Sequence, residues 1–440
     1  MIVSIGTLFP SLYNSFLNTS LIKRAQENGA VKIELEDMFN FVEPKKRIDG
    51  PIFGHGDGVV IRPDIVQSCV EKLESKRGKA YKIFFSPQGK KLDQDLLKKI
   101  AQESLKLSHI MLLPARYEGM DARVEEYYSD LTISIGDFVM MGGDLPAMVL
   151  IESLLRLFPG VVGKELSVEK DSFSGSFVDF PSYTEPVVWN NISVPEVLRS
   201  GNHQAVDKFR HNIAVEKTVK NHFQWLKTHA TSKTDIQDAT KYIPSHYAAL
   251  MHTDVMVPGH DGQKVEGDSS VTSLDIHDIA RSAKTYGLKG YFIVTKLIDQ
   301  QKIVNKLLDF WKVGSGVTYN PHRHLAVKDV QVIDSLDLAI SEIEKIEGVK
   351  PVVIVTSAQK ITGSDADKNI TYYDQEKVWS LNRPVLLVFG TAKGLSSSVI
   401  NKADYILLPV YGFSDFNHLS VRSAACVIFD RWLGINPTKV

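Results

Sequence analysis

Residues 134–147 read SIGDFVMMGGDLPA, and this stretch combines two features that seldom occur together. Glycine interrupts it at positions 136, 142 and 143, although glycine inside a strand loses packing and conformational entropy. Apolar side chains fill positions 138–141, although an ordinary surface loop has no use for four in succession. The combination predicts a pocket in which an apolar wall meets exposed main chain. A set of tight turns without a ligand is the alternative.

The segments around this stretch alternate between strand-like and helix-like patterns. Strands are predicted at 1–9, 81–86, 108–115 and 130–136, and helices near 12–25 and at 145–158, where apolar residues follow a helical period. Such alternation is typical of an α/β domain with a parallel sheet. Ligands of these sheets bind in the loops beyond the carboxyl ends of the strands.

Three of the predicted loops mix glycine or proline with polar residues: SPQG (86–89), PARYEG (114–119) and 134–146. If they converge, their apolar side chains can stack on a flat heteroaromatic such as adenine while main-chain groups bond its edge. The sequence contains no G-x-x-x-x-G-K-[ST] motif, and no G-x-G-x-x-G opens a helix after a strand. A standard phosphate loop or dinucleotide fingerprint is therefore excluded.

Composition predicts a soluble cytoplasmic protein of two to four domains. The chain has 440 residues, of which 43% are hydrophobic and 23% charged, as in globular proteins. Its longest apolar runs are strand-sized, which predicts no membrane span, and its first residues lack the basic region of a signal peptide. Cys69 and Cys426 show no zinc-binding spacing and are predicted to be buried free thiols in a reducing compartment.

The net charge of −1 indicates no global field for nucleic acid. A local basic patch at 207–233 interleaves six lysines and arginines with Phe223 and Trp225. A solvated helix face is the ordinary explanation for such a run, and RNA contact is the other.

Composition shifts along the chain predict four parts. They are an α/β domain at 1–160, an interdomain loop at 161–182, a small helical domain at 183–240 and a second α/β domain at 247–440. In the last part, strands are predicted at 247–257, 290–295, 351–358, 384–389 and 404–410, and helices at 274–288, 301–314 and 418–434. The two α/β domains share a plan without an obvious sequence repeat.

Four long segments of the first 240 residues resemble the bacterial tRNA (guanine-N1)-methyltransferase family, TrmD. They are SPQGKKLDQ (86–94), RYEGMDARV (116–124), the extended stretch 134–161 and DSFSGSFVDFPSYTEPVVWNNISVPEVLRSGNH (171–203). The resemblance implies the trefoil-knotted α/β fold of SPOUT methyltransferases. It also implies an obligate homodimer that binds S-adenosylmethionine at its interface. The expected substrate is tRNA, methylated at the guanosine just 3′ of the anticodon, position 37.

The resemblance places the cofactor on the three loops and their flanks. The implied cofactor residues are Phe84, Phe85, Ser86, Pro87, Gln88, Tyr117, Glu118, Gly119, Ser134, Ile135, Gly136, Phe138, Val139, Met140, Gly142, Gly143 and Pro146. Three departures stand out. Ala115 replaces the family's usual glycine, Phe138 replaces a common tyrosine, and FGHGDG (53–58) replaces a more glycine-rich loop.

Guanine N1 carries a proton at neutral pH, so its methylation needs a general base and a donor at O6. The resemblance implies Asp171 as the base and Arg156 as the group at O6, where a guanidinium fork suits an oxygen better than an ammonium. From the residues alone, the favoured explanations are a turn or N-cap residue for Asp171 and a salt-bridged helix residue for Arg156. Asp137 and Asp144 are expected to cap a helix or order the loop, and Tyr117 and Glu118 to shape the pocket. The family implies a magnesium requirement, but no cluster of metal ligands is apparent in the sequence.

Residues 247–434 resemble a second SPOUT-type RNA methyltransferase domain through LDIHDIARSAKTYGLKGYFIVT (274–295), FGTAKGL (389–395) and LLPVYGFSDFNHLSVRSAACVIFDR (407–431). The implied cofactor residues are Gly390, Thr391, Gly394, Leu408, Pro409, Leu419 and Ser420. Ala392 and Lys393 stand where many ribose methyltransferases carry glutamate, so 2′-O chemistry does not follow. Further polar candidates are His277, Arg281, Arg323 and Asn417.

Three functions remain open at this point. The first is a bifunctional RNA methyltransferase. The second has one active site in the N-terminal domain and uses the C-terminal domain for RNA binding or dimerisation. The third is a nucleotide-dependent enzyme of another class, such as a dehydrogenase, although the missing fingerprint argues against it.

Overall fold

A computed structural model describes residues 1–162, 171–259, 261–363 and 365–436. The chain forms two compact units, Met1–Ser174 and Gly175–Val440. Positions 163–170 of the predicted interdomain loop 161–182 lie outside the described residues.

The first unit is built around a parallel sheet. Its strands are β1 Ile2–Thr7, β2 Lys32–Asp37, β3 Asp49–Pro51, β4 Val59–Ile61, β5 Tyr81–Lys91, β6 His109–Leu113 and β7 Leu131–Ser134. Its helices are α1 Asn14–Leu17, α2 Ser20–Glu27, α3 Pro63–Arg77, α4 Gln94–Leu107, α5 Ala122–Tyr128 and α6 Asp144–Leu155, with 3-10 turns at Pro10–Tyr13 and Met38–Phe41.

The main sheet has the order β2-β1-β6-β5-β7, and every neighbouring pair is parallel. Its central strands are apolar on both faces, as covering helices on each side require. The predicted α/β class with a parallel sheet is confirmed. Because parallel strands end at the same edge, the segments after β5, β6 and β7 lie side by side.

The segment predicted as the loop 86–89 belongs instead to β5, where it forms a large bulge. Phe85 and Lys90 both pair with Ile133 of β7, so the four residues between them are pushed out of the ladder. A Cβ on Gly89 would lie 2.6 Å from main-chain atoms of Ile133, so only glycine fits there. The bulge aims residues 86–88 away from the sheet.

The second unit contains a helical segment followed by a larger parallel sheet. Its strands are β8 Val188–Trp189, β9 Ile192–Ser193, β10 His246–Met251, β11 Val255–Pro258, β12 Lys264–Gly267, β13 Gly290–Val294, β14 Val330–Ile333, β15 Val352–Thr356, β16 Asn369–Ile370, β17 Val385–Gly390 and β18 Tyr405–Leu407. Its helices are α7 Glu196–Arg199, α8 His203–Asn221, α9 Phe223–His229, α10 Lys233–Thr240, α11 Ser273–Thr285, α12 Ile298–Lys312, α13 Gly316–Tyr319, α14 Pro321–Val327, α15 Leu336–Glu347, α16 Gln375–Trp379, α17 Ser397–Asn401 and α18 Val421–Leu433, with a 3-10 turn at Ala366–Lys368.

The second main sheet has the order β14-β13-β10-β17-β15-β18-β16, again with parallel neighbours throughout. Strands β13, β10, β17, β15 and β18 of the second sheet correspond to β2, β1, β6, β5 and β7 of the first. When each set of five is numbered in chain order, the strands of both sheets lie side by side in the order 2-1-4-3-5. The two units therefore share one core topology, and β14 and β16 are additions at the edges of the second.

The strand predicted at 247–257 is divided in two. Strand β10 ends at Met251, and Asp254 then adopts a left-handed conformation that starts the hairpin of β11 and β12. Residues 32–37, 63–77, 330–333 and 336–347, which the sequence analysis left unassigned, form β2, α3, β14 and α15. Cys69 is buried as predicted, whereas Cys426 is exposed, so the prediction of burial is wrong for Cys426.

Candidate functional site

The bulged end of β5 and the loops after β6 and β7 enclose a cavity of about 330 Å³ at the carboxyl edge of the first sheet. All of the implied cofactor residues of this unit line it except Gly136, which lies outside the lining. Further lining residues, absent from the sequence prediction, are Leu113, Ala115, Met120, Ala122, Glu125 and Ile133. Leu113 and Ile133 lie at the carboxyl ends of β6 and β7, and Ala115 follows β6. Position relative to the sheet edge is the signal that could have identified these three.

Two glycines bring main chain close to the cavity wall. A Cβ on Gly143 would lie 2.9 Å from the main chain of Pro114 and Ala115, and a Cβ on Gly142 would strike the Arg116 side chain at 2.4 Å. The Gly143 amide also donates to the Ala115 carbonyl at 2.7 Å. The loop after β7 is therefore held against the loop after β6 by backbone contact that a side chain would prevent.

The outer wall of the cavity is apolar and exposed. Phe138 is 57% exposed, Val139 83% and Met141 91%, although all three lie on an apolar run. Exposed apolar residues in one patch mark a surface that contacts a ligand or another chain.

The loop 53–58, which differs from the family pattern, packs against the cavity-lining residue Glu118. A Cβ on Gly58 would lie 2.6 Å from the Glu118 side chain, and the Glu118 amide donates to the Val59 carbonyl at 3.1 Å. This loop therefore packs against a cavity-lining residue, and Glu118 acts in shaping the wall.

Asp144 is a buried hub and does not cap a helix through its side chain. Its Oδ1 accepts hydrogen bonds from Thr7 Oγ1 at 2.6 Å and Tyr13 Oη at 3.0 Å, and its Oδ2 accepts one from Arg116 Nε at 2.7 Å. The side chain is 1% exposed, so the carboxylate depends on these donors for compensation of its charge. The hub ties β1, the loop after β6 and the start of α6 together. Burial raises the pKa of Tyr13 far above its usual value.

Asp137, by contrast, lies on the surface. It accepts a hydrogen bond from Lys91 Nζ at 2.6 Å, and its side chain is 87% exposed. The contact joins the end of β5 to the loop after β7, which agrees with a role in ordering that loop.

Arg156 and Asp171 form a two-pronged ion pair. Arg156 Nε donates to Asp171 Oδ2 at 2.6 Å and its Nη2 donates to Oδ1 at 2.9 Å. The bond to Asp171 raises the pKa of Arg156 above its usual value. Arg156 directly follows α6, and that helix begins at the cavity. The side chains are 47% and 28% exposed, so a polar group from solution can reach them.

The implied cofactor residues of the second unit lie on the corresponding loops of the second sheet. Gly390 ends β17, and Thr391 and Gly394 follow it. Leu408 and Pro409 follow β18, and Leu419 and the capping residue Ser420 precede α18. Thr391 Oγ1 donates to the Met251 carbonyl at 2.8 Å, and it bonds Ser269 Oγ at 2.5 Å. The hairpin braces this loop because the Met256 amide donates to the Gly394 carbonyl at 2.8 Å.

The further polar candidates divide into two groups. Asn417 Nδ2 donates to the Ala358 carbonyl at 3.0 Å and so joins the loops after β15 and β18. His277 and Arg323 instead pack on Trp311, the ring edge-on at 5.6 Å and the guanidinium 4.8 Å from the ring centre. No contact in the described part of the chain places Arg281 at these loops; its carbonyl accepts from Thr285 within α11.

No group of three or more His, Cys, Asp or Glu side chains that could hold a metal ion occurs among the described residues. Within the same portion of the chain, no helix is both long and apolar enough to cross a membrane.

Two family models match the chain. Residues 1–228 match the model described as tRNA (Guanine-1)-methyltransferase TrmD. Residues 245–434 match the model described as SAM-dependent RNA methyltransferase.

Curated relatives match over the full length or over the first half. A tRNA (guanine-N(1)-)-methyltransferase of Oleidesulfovibrio alaskensis is 34% identical over 98% of this chain and 99% of its own. The protein of the same name from Nitratidesulfovibrio vulgaris is 35% identical over the same shares. That of Geobacillus kaustophilus is 39% identical over 50% of this chain and 88% of its own. Among solved structures, the tRNA (m1G37) methyltransferase from Aquifex aeolicus is 29% identical, covering 50% of this chain and 92% of that one, with a TM-score of 0.42.

Proposed function

Because this chain belongs to the tRNA (guanine-1)-methyltransferase family and continues into a SAM-dependent RNA methyltransferase domain, we propose that it methylates N1 of guanosine 37 in tRNA. The observation that carries this proposal is the bidentate pair of Arg156 and Asp171. The 12-residue helix α6 separates the pair from the cavity of its own chain by about 18 Å, so we propose that guanine held by the pair meets the cofactor of the second copy in the homodimer.

The cavity fits S-adenosylmethionine by the shape and chemistry of its wall. Its volume of about 330 Å³ falls within the range of small-molecule sites. The apolar residues Phe138 and Val139 offer a face for a purine, and Gly142 and Gly143 leave main-chain groups open to its edge. S-adenosylmethionine supplies the electrophilic methyl group, and the lining residues hold it.

Guanine can replace each partner of the ion pair. Its Watson–Crick edge presents an acceptor at O6 and donors at N1 and N2. A guanidinium can donate to O6, and a carboxylate can accept from N1–H and N2–H. We propose that Arg156 turns to O6 while Asp171 accepts from N1–H. As N1 attacks, Asp171 takes its proton and Arg156 stabilises the charge that develops on O6. Adenine presents a donor at position 6 and no proton at N1, so it does not open the pair.

The exposed apolar wall supports a homodimer. Met141, Leu145 and Val149 are 91%, 51% and 44% exposed and continue the patch of Phe138 and Val139 along the start of α6. A second copy that covers this patch would also close the cofactor cavity, because Phe138 and Val139 belong to both.

We further propose that both α/β units are SPOUT domains with a trefoil knot. The shared strand order and the loops clustered after the third, fourth and fifth strands support this proposal. Single-molecule pulling from the two termini would test it, since a knotted chain ends at a shorter contour length than an unknotted one.

The proposal extends to the helical segment and the C-terminal domain. The helical segment 183–240, between domains 1–160 and 247–440, docks the anticodon stem, and the protein works in the cytoplasm. A magnesium requirement stays a prediction. The second family match favours a catalytic role for the C-terminal domain over a binding or dimerisation module.

The test is transfer of labelled methyl groups from S-adenosylmethionine to unmodified tRNA with G or A at position 37. The expected product is 1-methylguanosine, formed only on the G37 tRNA and lost in Asp171→Asn. Label on A37 tRNA, or 1-methylguanosine from Asp171→Asn at the wild-type rate, would overturn the assignment.

A further inference from the structure

The helical segment of the second unit shares a hydrophobic core with the second sheet. Val215, Val219 and Phe223 are buried in the same cluster as Trp379 and Trp432 of the α/β domain. Phe223 and Trp379 meet edge-to-face, with ring centres 4.6 Å apart. The segment is therefore built into the C-terminal domain and cannot swing on a linker without exposing this core.

A chain of buried hydrogen bonds reinforces the contact. Gln224 Nε2 donates to Gln375 Oε1 at 2.9 Å, and Gln375 Nε2 donates to the Trp432 carbonyl at 3.0 Å. Trp432 Nε1 donates to His246 Nε2 at 3.0 Å, at the first residue of β10. Each bond fixes an orientation that apolar packing alone leaves free.

The segment also reaches the loop that we assign to the second cofactor. Lys227 Nζ donates to the Arg431 carbonyl at 2.5 Å, and Arg431 Nη2 donates to the Tyr411 carbonyl at 3.4 Å. Tyr411 lies in the loop between β18 and α18, which also carries Pro409 and Leu419. Arg431 thus links the helical segment to the loop between β18 and α18.

The outward side of helix α8 carries a local excess of basic residues. The helix has Lys208, Arg210, Lys217 and Lys220 against Asp207 and Glu216, and Glu216 pairs with Lys220 at 2.7 Å. Lys217 and Lys220 are exposed and lie one turn apart on α8, on the side away from the buried Val215 and Val219. Such a surface favours a polyanion such as RNA.

We propose that the C-terminal domain methylates a second nucleoside of the tRNA that the helical segment holds. This inference rests on the proposed docking of tRNA to that segment. Because the helical segment and the second sheet share one core, a tRNA bound to the segment is held at a fixed distance from the second candidate site. The bound tRNA is therefore the RNA that this site would methylate. The acceptor nitrogen or oxygen forms a bond to the methyl carbon, the carbon–sulfur bond breaks with its electrons on sulfur, and the acceptor proton leaves to solvent.

The experiment uses the full chain, labelled S-adenosylmethionine and total tRNA from a bacterium that lacks this protein's gene, with ribosomal RNA in parallel. Methylated nucleosides are separated and identified by mass. Full-length protein is expected to yield 1-methylguanosine and a second methylated nucleoside, both in tRNA. Asp171→Asn is expected to retain only the second.

A charge-reversal pair tests the shared docking surface. Lys217→Glu with Lys220→Glu is expected to raise KM for both products at least tenfold and to weaken tRNA binding, measured by fluorescence anisotropy without cofactor, by the same factor. The matched control is Lys345→Glu with Lys350→Glu, two exposed lysines in the last turn of α15 and just beyond its end, where the helix packs on the opposite face of the second sheet. The control is expected to change neither KM nor binding.

Outcomes separate this inference from the proposed function. If 1-methylguanosine forms and depends on Asp171 but no second methyl group enters tRNA, or it enters ribosomal RNA alone, this inference fails and the proposed function stands. If the KM for the second product is unchanged in Lys217→Glu with Lys220→Glu, the shared docking surface is overturned. Absence of 1-methylguanosine would instead overturn the proposed function. Circular dichroism of each variant excludes loss of fold as the cause.

Discussion

Arg156 and Asp171 hold each other through two parallel hydrogen bonds, although they stand fifteen positions apart on either side of the segment 163–170. Each group satisfies the hydrogen-bonding capacity of the other. In the proposed mechanism a guanine edge takes the place of this contact, which frees Asp171 for the N1 proton and Arg156 for O6.

Asp171→Asn is expected to lower kcat for 1-methylguanosine formation about 10²- to 10⁴-fold, the usual contribution of a general base. An amide can still bond Arg156 but cannot take the N1 proton. The measurement is single-turnover methyl transfer to a G37 tRNA.

The control for this variant is Asp64→Asn, which weakens a similar two-pronged pair with Arg62 on the same unit. It is expected to leave kcat unchanged. Equal losses in the two variants would show that charge balance, and not proton transfer, is responsible.

Gly143→Ala is expected to weaken S-adenosylmethionine binding at least tenfold, because the new Cβ would lie 2.9 Å from main chain that cannot rotate away. Calorimetric titration of the cofactor measures the effect. Gly50→Ala, whose Cβ would meet no atom within 4 Å, is the matched control. Unchanged affinity in Gly143→Ala would mean that the cofactor binds elsewhere.

Asp144→Asn is expected to lower the free energy of unfolding of the first unit by about 3 kcal/mol. Breaking a buried ion pair costs about 3–5 kcal/mol, and the lower value applies because Arg116 is partly exposed. Tyr13→Phe removes one donor to the same carboxylate and should cost about 1 kcal/mol. Urea unfolding of each variant gives the two values. Equal costs would contradict the role of Asp144 as the hub.

Phe223→Ala is expected to destabilise the second unit by about 3–5 kcal/mol, because the ring is 6% exposed and packs on Trp379. Ile303→Ala, at a side chain that is 62% exposed, is the control and should cost well under 1 kcal/mol. A fragment that ends at residue 240 should likewise lose its helical segment, as far-ultraviolet circular dichroism would show. A stable, helical fragment would contradict the shared core.

The stability of the second unit should fall as pH falls from about 6.5 to 4. Burial lowers the pKa of His246 to about 4, whereas an unfolded histidine titrates near 6.5. Between these pH values His246 is protonated in the unfolded chain but neutral in the folded chain. This difference lowers the free energy of unfolding by about 2 kcal/mol at pH 5.

His246→Gln should reduce this loss of stability between pH 7 and pH 5, measured by urea unfolding at each pH. It will not abolish the loss, since burial also lowers the pKa of His252 to about 4. His203→Gln, at an exposed residue, is the control and should leave the pH dependence unchanged. A slope that survives His246→Gln intact would assign the effect to other groups.

Much of the cavity could be predicted from sequence because its residues lie in three short segments that follow strands. The strands that begin at Tyr81, His109 and Leu131 are neighbours in a parallel sheet, so their carboxyl ends lie at the same edge. A residue close to one of these ends in the chain is therefore close to the cavity. The bulge at 86–89 was less predictable, because it depends on the close approach of Gly89 to the Ile133 main chain.

Sequence by itself determined the α/β class, the two parallel sheets and most of the segments that line the cavity, since hydrophobic period and glycine placement are local properties of the chain. Only the tertiary structure decided which partners those segments receive. Thr7, Tyr13 and Arg116 meet on Asp144 across as many as 137 positions, and Phe223 joins the core of a sheet that begins at His246. Pairings at such separations depend on how whole elements pack, and no local pattern encodes them.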